Sequence, residues 1–108
     1  MRDEVKQIDP RELQEMMENR EVTLLDVRER HEWDYCHIDG ATLIPFSNFS
    51  TGQVLPEEDA PVVVYCHIGQ RSYMAARILQ QQGHRDVYNL AGGIDAYAVE
   101  VAQDMPRY

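Results

Sequence analysis

Short apolar runs and longer mixed segments alternate along this chain. The runs are rich in β-branched residues, as is typical of strands covered on both faces, and they fall at Val22–Val27, Ala41–Ile44, Val62–Tyr65 and Asp86–Leu90. The segments between and after them predict helices at Pro10–Asn19, Glu29–Tyr35, Ser72–Gln82 and Ile94–Ala102. Strands that alternate with helices in this way predict an α/β fold, with a parallel sheet and helices on both faces.

Local signals mark the ends of several predicted elements. Asp9 is the expected N-cap of the first helix, with Pro10 at the first helical position and Glu12 completing a capping box. Gly83 predicts the end of the third helix. The segment Phe46–Ala60 is the least regular, and we expect a loop there with room for one short helix.

Size and overall charge exclude several classes of function. The 108 residues suffice for one domain, and 19 acidic against 10 basic residues give a net charge of −9. An acidic protein is a poor ligand for nucleic acid or an anionic membrane surface, so neither is expected as a partner. No apolar stretch approaches the roughly 20 residues that span a bilayer, and the first residues lack the apolar core of a signal peptide. These features predict a cytoplasmic protein.

The charge is unevenly distributed. The segment from residue 60 to 85 contains Arg71, Arg77 and Arg85 and no acid, which gives it +3, so the rest of the chain carries −12. The same segment contains Cys66. A locally positive stretch around a cysteine indicates a site for an anion.

The chain has two cysteines, Cys36 and Cys66, each followed by a histidine, His37 and His67. Two cysteines are too few for a disulfide framework. A zinc site is disfavoured, because adjacent ligands lack the usual gap of two to four residues and point to opposite faces of an extended segment. We therefore predict no metal site.

Cys66 ends the strongest predicted strand, and ligands bind at the carboxyl edge of an open parallel sheet. The predicted connection to the next helix comprises Cys66, His67, Ile68, Gly69, Gln70, Arg71 and Ser72. Inward-turned amides of such a loop, the partial positive charge of the helix N-terminus and the Arg71 cation all favour the reactive thiolate form of Cys66. The alternative is a small, inert core cysteine.

Four segments in order resemble the motifs of one family, the rhodanese-like sulfurtransferases. These segments are Leu24–Glu29 followed by Glu32, Cys36–Ala41 through Pro45, Val62–Ser72 and Leu90–Ile94. Cys36 stands where the family usually has glycine, and Tyr97 where it usually has tryptophan. Both departures lie outside the cysteine loop, so we expect them to affect packing rather than chemistry.

The resemblance implies a single rhodanese-like domain over residues 1–108 with roughly five parallel strands. It also implies a thiosulfate sulfurtransferase type of enzyme: Cys66 takes a sulfane sulfur from a small donor such as thiosulfate or from a protein donor. Cys66 then holds that sulfur as a persulfide and passes it to cyanide, a thiol or a protein acceptor. The amides from His67 to Ser72 would stabilise the anionic sulfur. Neither a metal nor an organic cofactor is implied.

Two other functions stay open at this point. Cysteine phosphatases and arsenate reductases share this fold, but the phosphatase loop has five residues between cysteine and arginine, whereas Cys66 and Arg71 enclose four. A non-catalytic interaction domain is the other alternative, although such domains usually lack the cysteine.

Further residues are expected to support or surround the loop. Asp26 and Arg28 lie at the carboxyl end of the neighbouring predicted strand, and we expect Arg28 to pair with Glu32 four residues on. The Arg71 cation is expected to bind the donor anion. Cys36 is expected to open the next strand, far from Cys66, and His31 and His84 are expected at the surface.

Overall fold

A five-stranded sheet forms the centre of the protein in a computed structural model that describes residues 5–19, 22–49 and 61–108. Its strands are β1 (Lys6–Ile8), β2 (Thr23–Asp26), β3 (Thr42–Leu43), β4 (Val62–Tyr65) and β5 (Val87–Leu90). They lie in the order β1-β5-β4-β2-β3, and every pair is parallel. The predicted parallel α/β class is confirmed.

Helices cover both faces of the sheet, as predicted. They are α1 (Pro10–Glu18), α2 (Arg30–Tyr35), α3 (Phe46–Phe49), α4 (Gln70–Gln81) and α5 (Gly93–Glu100). Adjacent strand residues point to opposite faces. Leu25 therefore packs in a cluster with Leu79 of α4, whereas Leu24 packs in a second cluster with Leu13 of α1 and Ile94 of α5. Among the described residues, no helix has the length and apolar character needed to cross a membrane.

The middle strand, β4, positions the site. Its four residues, Val62–Tyr65, are completely buried, because β2 and β5 flank the strand and helices cover both of its faces. A continuous apolar strand is stable only in such surroundings. The residue that follows β4 therefore emerges at the centre of the carboxyl edge of the sheet, and that residue is Cys66.

Several element boundaries differ from the predictions. The sequence pattern missed β1, a three-residue strand that pairs with β5. The predicted capping box of α1 is confirmed, with Asp9 and Glu12 bonded to each other's backbone. α4 begins earlier than predicted, since Gly69 forms its N-cap in the left-handed region. Of the predicted loop Phe46–Ala60, α3 is the short helix, and residues 50–60 lie outside the described part.

His84 was expected at the surface, and this prediction is wrong. It follows α4 and is buried, with only 6% of its surface exposed. Its backbone N–H donates to the Leu79 carbonyl at the end of the helix.

Candidate active site

The sulfur of Cys66 lies at the N-terminus of α4. Cys66 is buried, with 1% of its surface exposed. Two backbone N–H groups point at its Sγ atom, that of Gly69 at 3.1 Å and that of Ser72 at 3.4 Å. Gly69 allows this arrangement because its φ of +116° turns the chain where other residues would be strained. Converging N–H donors at a helix N-terminus stabilise negative charge, so this geometry suits an anionic sulfur.

Ser72 gives Cys66 a further neighbour. Its Oγ lies 3.3 Å from Sγ and donates its proton to Asn89 Oδ1 at 2.5 Å. The Asn89 amide is oriented by its Nδ2, which donates to the carbonyl of Gly69 and to Gln7 Oε1. Ser72 therefore turns an oxygen lone pair toward Cys66 and can accept the thiol proton.

Asn89 was not among the predicted site residues. The available signal was a buried amide inside an otherwise apolar strand, between Val87 and Leu90. Buried polar groups need hydrogen-bond partners, so a polar residue in such a strand indicates that it holds a neighbouring segment. Here Asn89 connects β5 to the cysteine loop.

The start of α5 holds the loop from behind. Ile94 N–H donates to the Cys66 carbonyl at 2.9 Å, and Asp95 N–H donates to the His67 carbonyl at 3.1 Å. Gly93 lies against the same two carbonyls, so close that a Cβ atom there would come within 2.3 Å of the His67 oxygen. The backbone of Cys66 and His67 is thus held by α5, while α4 holds the sulfur.

Arg28 was predicted to pair with the carboxylate of Glu32, and this prediction is wrong. Its guanidinium binds both oxygens of Asp26, with Nη2 2.6 Å from Oδ2, and both side chains are completely buried. It also donates to the Cys36 carbonyl and the Tyr108 hydroxyl, and only weakly to the Glu32 carbonyl. Burial alone would lower the pKa of Arg28, but the hydrogen bonds to Asp26 and Tyr108 outweigh it and raise that pKa.

Arg71 is the true partner of Glu32. Nη1 and Nη2 of Arg71 donate to the two carboxylate oxygens of Glu32 at 2.8 and 3.0 Å. The hydrogen bond to Arg71 lowers the pKa of Glu32 to about 2, so this carboxylate is ionised at neutral pH. The guanidinium of Arg71, which was expected to bind the donor anion, is therefore already paired with a carboxylate.

The residues that follow α5 return to the site. The Tyr108 ring stacks on the His67 ring, with centroids 4.0 Å apart. Its hydroxyl accepts from Arg28 and donates to Glu32, and burial raises the pKa of Tyr108 to about 12, so the hydroxyl keeps its proton. Nothing in the sequence signalled this role, because the contacts join Tyr108 to residues far away in the chain. Beside it opens a hollow of about 390 Å³ lined by His31, Glu32, Tyr35 and Tyr108.

Cys36 does not open β3, contrary to the prediction. It ends α2, and β3 begins only at Thr42. Its carbonyl accepts from Arg28, which follows β2 at the carboxyl edge, so Cys36 lies toward the edge that carries Cys66. Its Sγ contacts the Pro106 carbonyl at 3.5 Å.

The other predicted loop residues lie around Cys66, nearer the protein surface. Ile68 is 55% exposed and Gln70 is exposed, whereas His67 is half-buried under Tyr108. Within the described ranges, no three metal-binding side chains gather in one place.

At the carboxyl edge of its parallel sheet, this α/β domain carries a loop in which two backbone N–H groups point at a cysteine sulfur. A sequence model described as "Rhodanese-like domain" matches residues 9–100. The chain belongs to the rhodanese-like domain family.

Several relatives carry sulfurtransferase names. The chain is 41% identical over 104 residues to a probable adenylyltransferase/sulfurtransferase, MoeZ, of Mycobacterium tuberculosis, covering 94% of this chain but 26% of that protein. It is 37% identical to the thiosulfate sulfurtransferase GlpE of Actinobacillus pleuropneumoniae, covering 84% of each. A solved rhodanese-related protein of Thermoplasma volcanium has a TM-score of 0.78 and 29% identity, covering 94% of this chain and 95% of that one. The similarity supports sulfurtransferase activity at the level of the family.

Proposed function

We propose that this protein is a sulfurtransferase that carries a sulfane sulfur as a persulfide on Cys66. The observation that carries the proposal is the pair of N–H groups, from Gly69 and Ser72, aimed at Sγ. Donors already in place around a developing charge stabilise it without reorganisation. They stabilise the thiolate that attacks, and they lie where an added anionic sulfur would need donors.

The reaction proceeds in two displacements. The Cys66 thiolate attacks the outer sulfur of the donor, the donor S–S bond breaks, and its electron pair leaves with the departing group, sulfite in the case of thiosulfate. The outer sulfur is now bonded to Cys66. A nucleophilic acceptor such as cyanide, a thiol or a protein thiol then attacks that sulfur, and Cys66 leaves as a thiolate that the same amides stabilise.

The position of Arg71 favours a sulfur carrier over a phosphatase. A phosphatase of this fold needs its arginine on the bound phosphate, whereas Arg71 is engaged in two hydrogen bonds with Glu32. The loop between Cys66 and Arg71 is also one residue shorter than the phosphatase loop. A cradle of this size suits a single added sulfur atom.

The proposal is tested by loading the protein with a sulfur donor and measuring its intact mass. We expect the wild type to gain one sulfur atom from thiosulfate or a small alkyl persulfide, and to lose it to cyanide as thiocyanate. Cys66→Ser should gain none, and Cys36→Ser is the matched control that should load normally. The proposal would be contradicted if Cys66→Ser gained a sulfur atom, or if neither the wild type nor Cys36→Ser gained one from either donor.

A further inference from the structure

The arginines at the site are all neutralised by carboxylates. In the part of the chain that the structure describes, three arginines contact the site or the segments that hold it, and their partners form the pairs Arg28–Asp26, Arg71–Glu32 and Arg107–Asp95. Each pair sums to zero charge. The remaining stabilisation for a bound donor comes from backbone amides, while the chain as a whole carries −9.

The Arg71–Glu32 pair is firmly held. The Glu32 side chain is 12% exposed, and three donors bind it: Arg71, the Tyr108 hydroxyl and the backbone N–H of Glu29. Release of Arg71 toward a substrate would leave a largely buried carboxylate without its cation, which is unfavourable. Arg71 therefore stays on Glu32 when the donor arrives.

This arrangement discriminates between donors by charge. Thiosulfate brings two negative charges to the site, whereas an alkyl persulfide, R–S–SH, brings one or none. The site offers apolar surface for an organic group, since Ile68 is 55% exposed and Tyr108, whose ring stacks on His67, is 45% exposed. These apolar surfaces offer no hydrogen bonds to the sulfonate oxygens of thiosulfate.

We propose, as a deepening of the sulfurtransferase function above, that the preferred donor is an alkyl persulfide and that Glu32 sets this preference by neutralising Arg71. The Cys66 thiolate attacks the outer sulfur of R–S–SH, the bond between the two donor sulfurs breaks, and R–S⁻ leaves with the electron pair. The products are the Cys66 persulfide, which keeps the hydrogen, and one thiolate, so atoms and charge balance. Glu32 acts through Arg71 and is a positioning residue.

The test is the ratio of two loading rates. Loading of Cys66 is followed by intact mass with thiosulfate and with cysteine persulfide, and the ratio of the two kcat/KM values is compared between wild type and Glu32→Gln. Glutamine keeps the oxygen that accepts from Glu29 and Arg71 Nη1, but removes the charge. Because one cation is then unbalanced, we expect the thiosulfate-to-persulfide ratio to rise about tenfold.

Asp34→Asn is the matched control. It removes the same charge from the same helix, but Asp34 is exposed and pairs with Arg30. We expect its ratio to equal that of the wild type, because an exposed pair contributes little and is screened.

The outcomes separate the two proposals. Faster loading of the wild type from cysteine persulfide, together with a higher ratio in Glu32→Gln alone, supports the inference. Equal or faster wild-type loading from thiosulfate overturns it and leaves the sulfurtransferase function standing, and this comparison needs no variant. An unchanged ratio in a folded Glu32→Gln protein also overturns it. Failure to load from either donor overturns the sulfurtransferase function itself.

Discussion

Gly93 lies at the contact between α5 and the cysteine loop, and replacing it with alanine should disrupt the site. The new Cβ atom would lie 2.3 Å from the His67 oxygen and 2.6 Å from the Cys66 oxygen. Both are backbone atoms, so no side-chain rotation can relieve the contact. Gly93→Ala must therefore displace either α5 or the loop that carries Cys66.

The expected loss of stability has two parts. Forcing extra atoms into a packed region costs about 1–3 kcal/mol, and placing alanine at a φ of +63° adds about 1–2 kcal/mol. The sum, about 2–5 kcal/mol, is a large part of the 5–15 kcal/mol that small domains have. Sulfur loading should fall more than about tenfold, because relief of the clash must move the Cys66 loop or α5, and a misplaced attacking sulfur reacts slowly.

Gly83→Ala separates the two parts. Gly83 has a φ of +105°, but a Cβ atom there would meet nothing within 4 Å. This variant therefore carries the backbone strain without the clash, and its loading rate should equal that of the wild type. Urea unfolding followed by circular dichroism gives the free energies, and intact mass gives the loading rates. Equal losses of stability and loading in the two variants would refute the argument.

Three further predictions follow from buried contacts around the site. Arg28→Met leaves Asp26 as a buried, unpaired carboxylate and should lower the free energy of unfolding by about 3–5 kcal/mol; a loss below about 1 kcal/mol in urea would contradict this. Ser72→Ala deprives Asn89 of its donor and should cost about 1–3 kcal/mol, while loading falls less than about tenfold, because both N–H donors to Cys66 remain. Since the folded state lowers the pKa of Glu32 from 4.5 to about 2, the unfolded chain binds more protons between these values. Acidification through that window should therefore destabilise the wild type more than Glu32→Gln in urea titrations at each pH.

The fold could be predicted where the information is local. The continuous run Val62–Tyr65 is a strand in almost any buried setting, and the capping signals at Asp9 and Glu12 act within one turn of helix. β1 could not be predicted in this way. The three residues Lys6–Ile8 are too few to show a hydrophobic alternation, and they form a strand because they pair with the edge of β5.

The candidate site was predictable to a similar extent. Cys66 and Gly69 follow from a strand end, a glycine and the topology of parallel sheets. The partner of Arg28 was assigned wrongly because the rule for residues four apart holds inside a helix, and Arg28 precedes α2, which begins at Arg30. Ahead of the helix the side chain is free to turn back, and it binds Asp26.

Charge counted along the sequence is a poor guide to the field at the site, and Arg71 shows why. The segment from residue 60 to 85 carries +3, which favours an anionic donor as long as its arginines act alone. In the folded chain Glu32 of α2 meets Arg71 of α4 across 39 residues, and Tyr108 joins the pair across 76. The topology thus brings one acid from the −12 remainder onto Arg71, one of the three cations of the +3 segment. For the proposed sulfur transfer, we therefore expect a donor at Cys66 to meet backbone amides beside a neutralised Arg71, and we expect the charge of the donor to determine its loading rate.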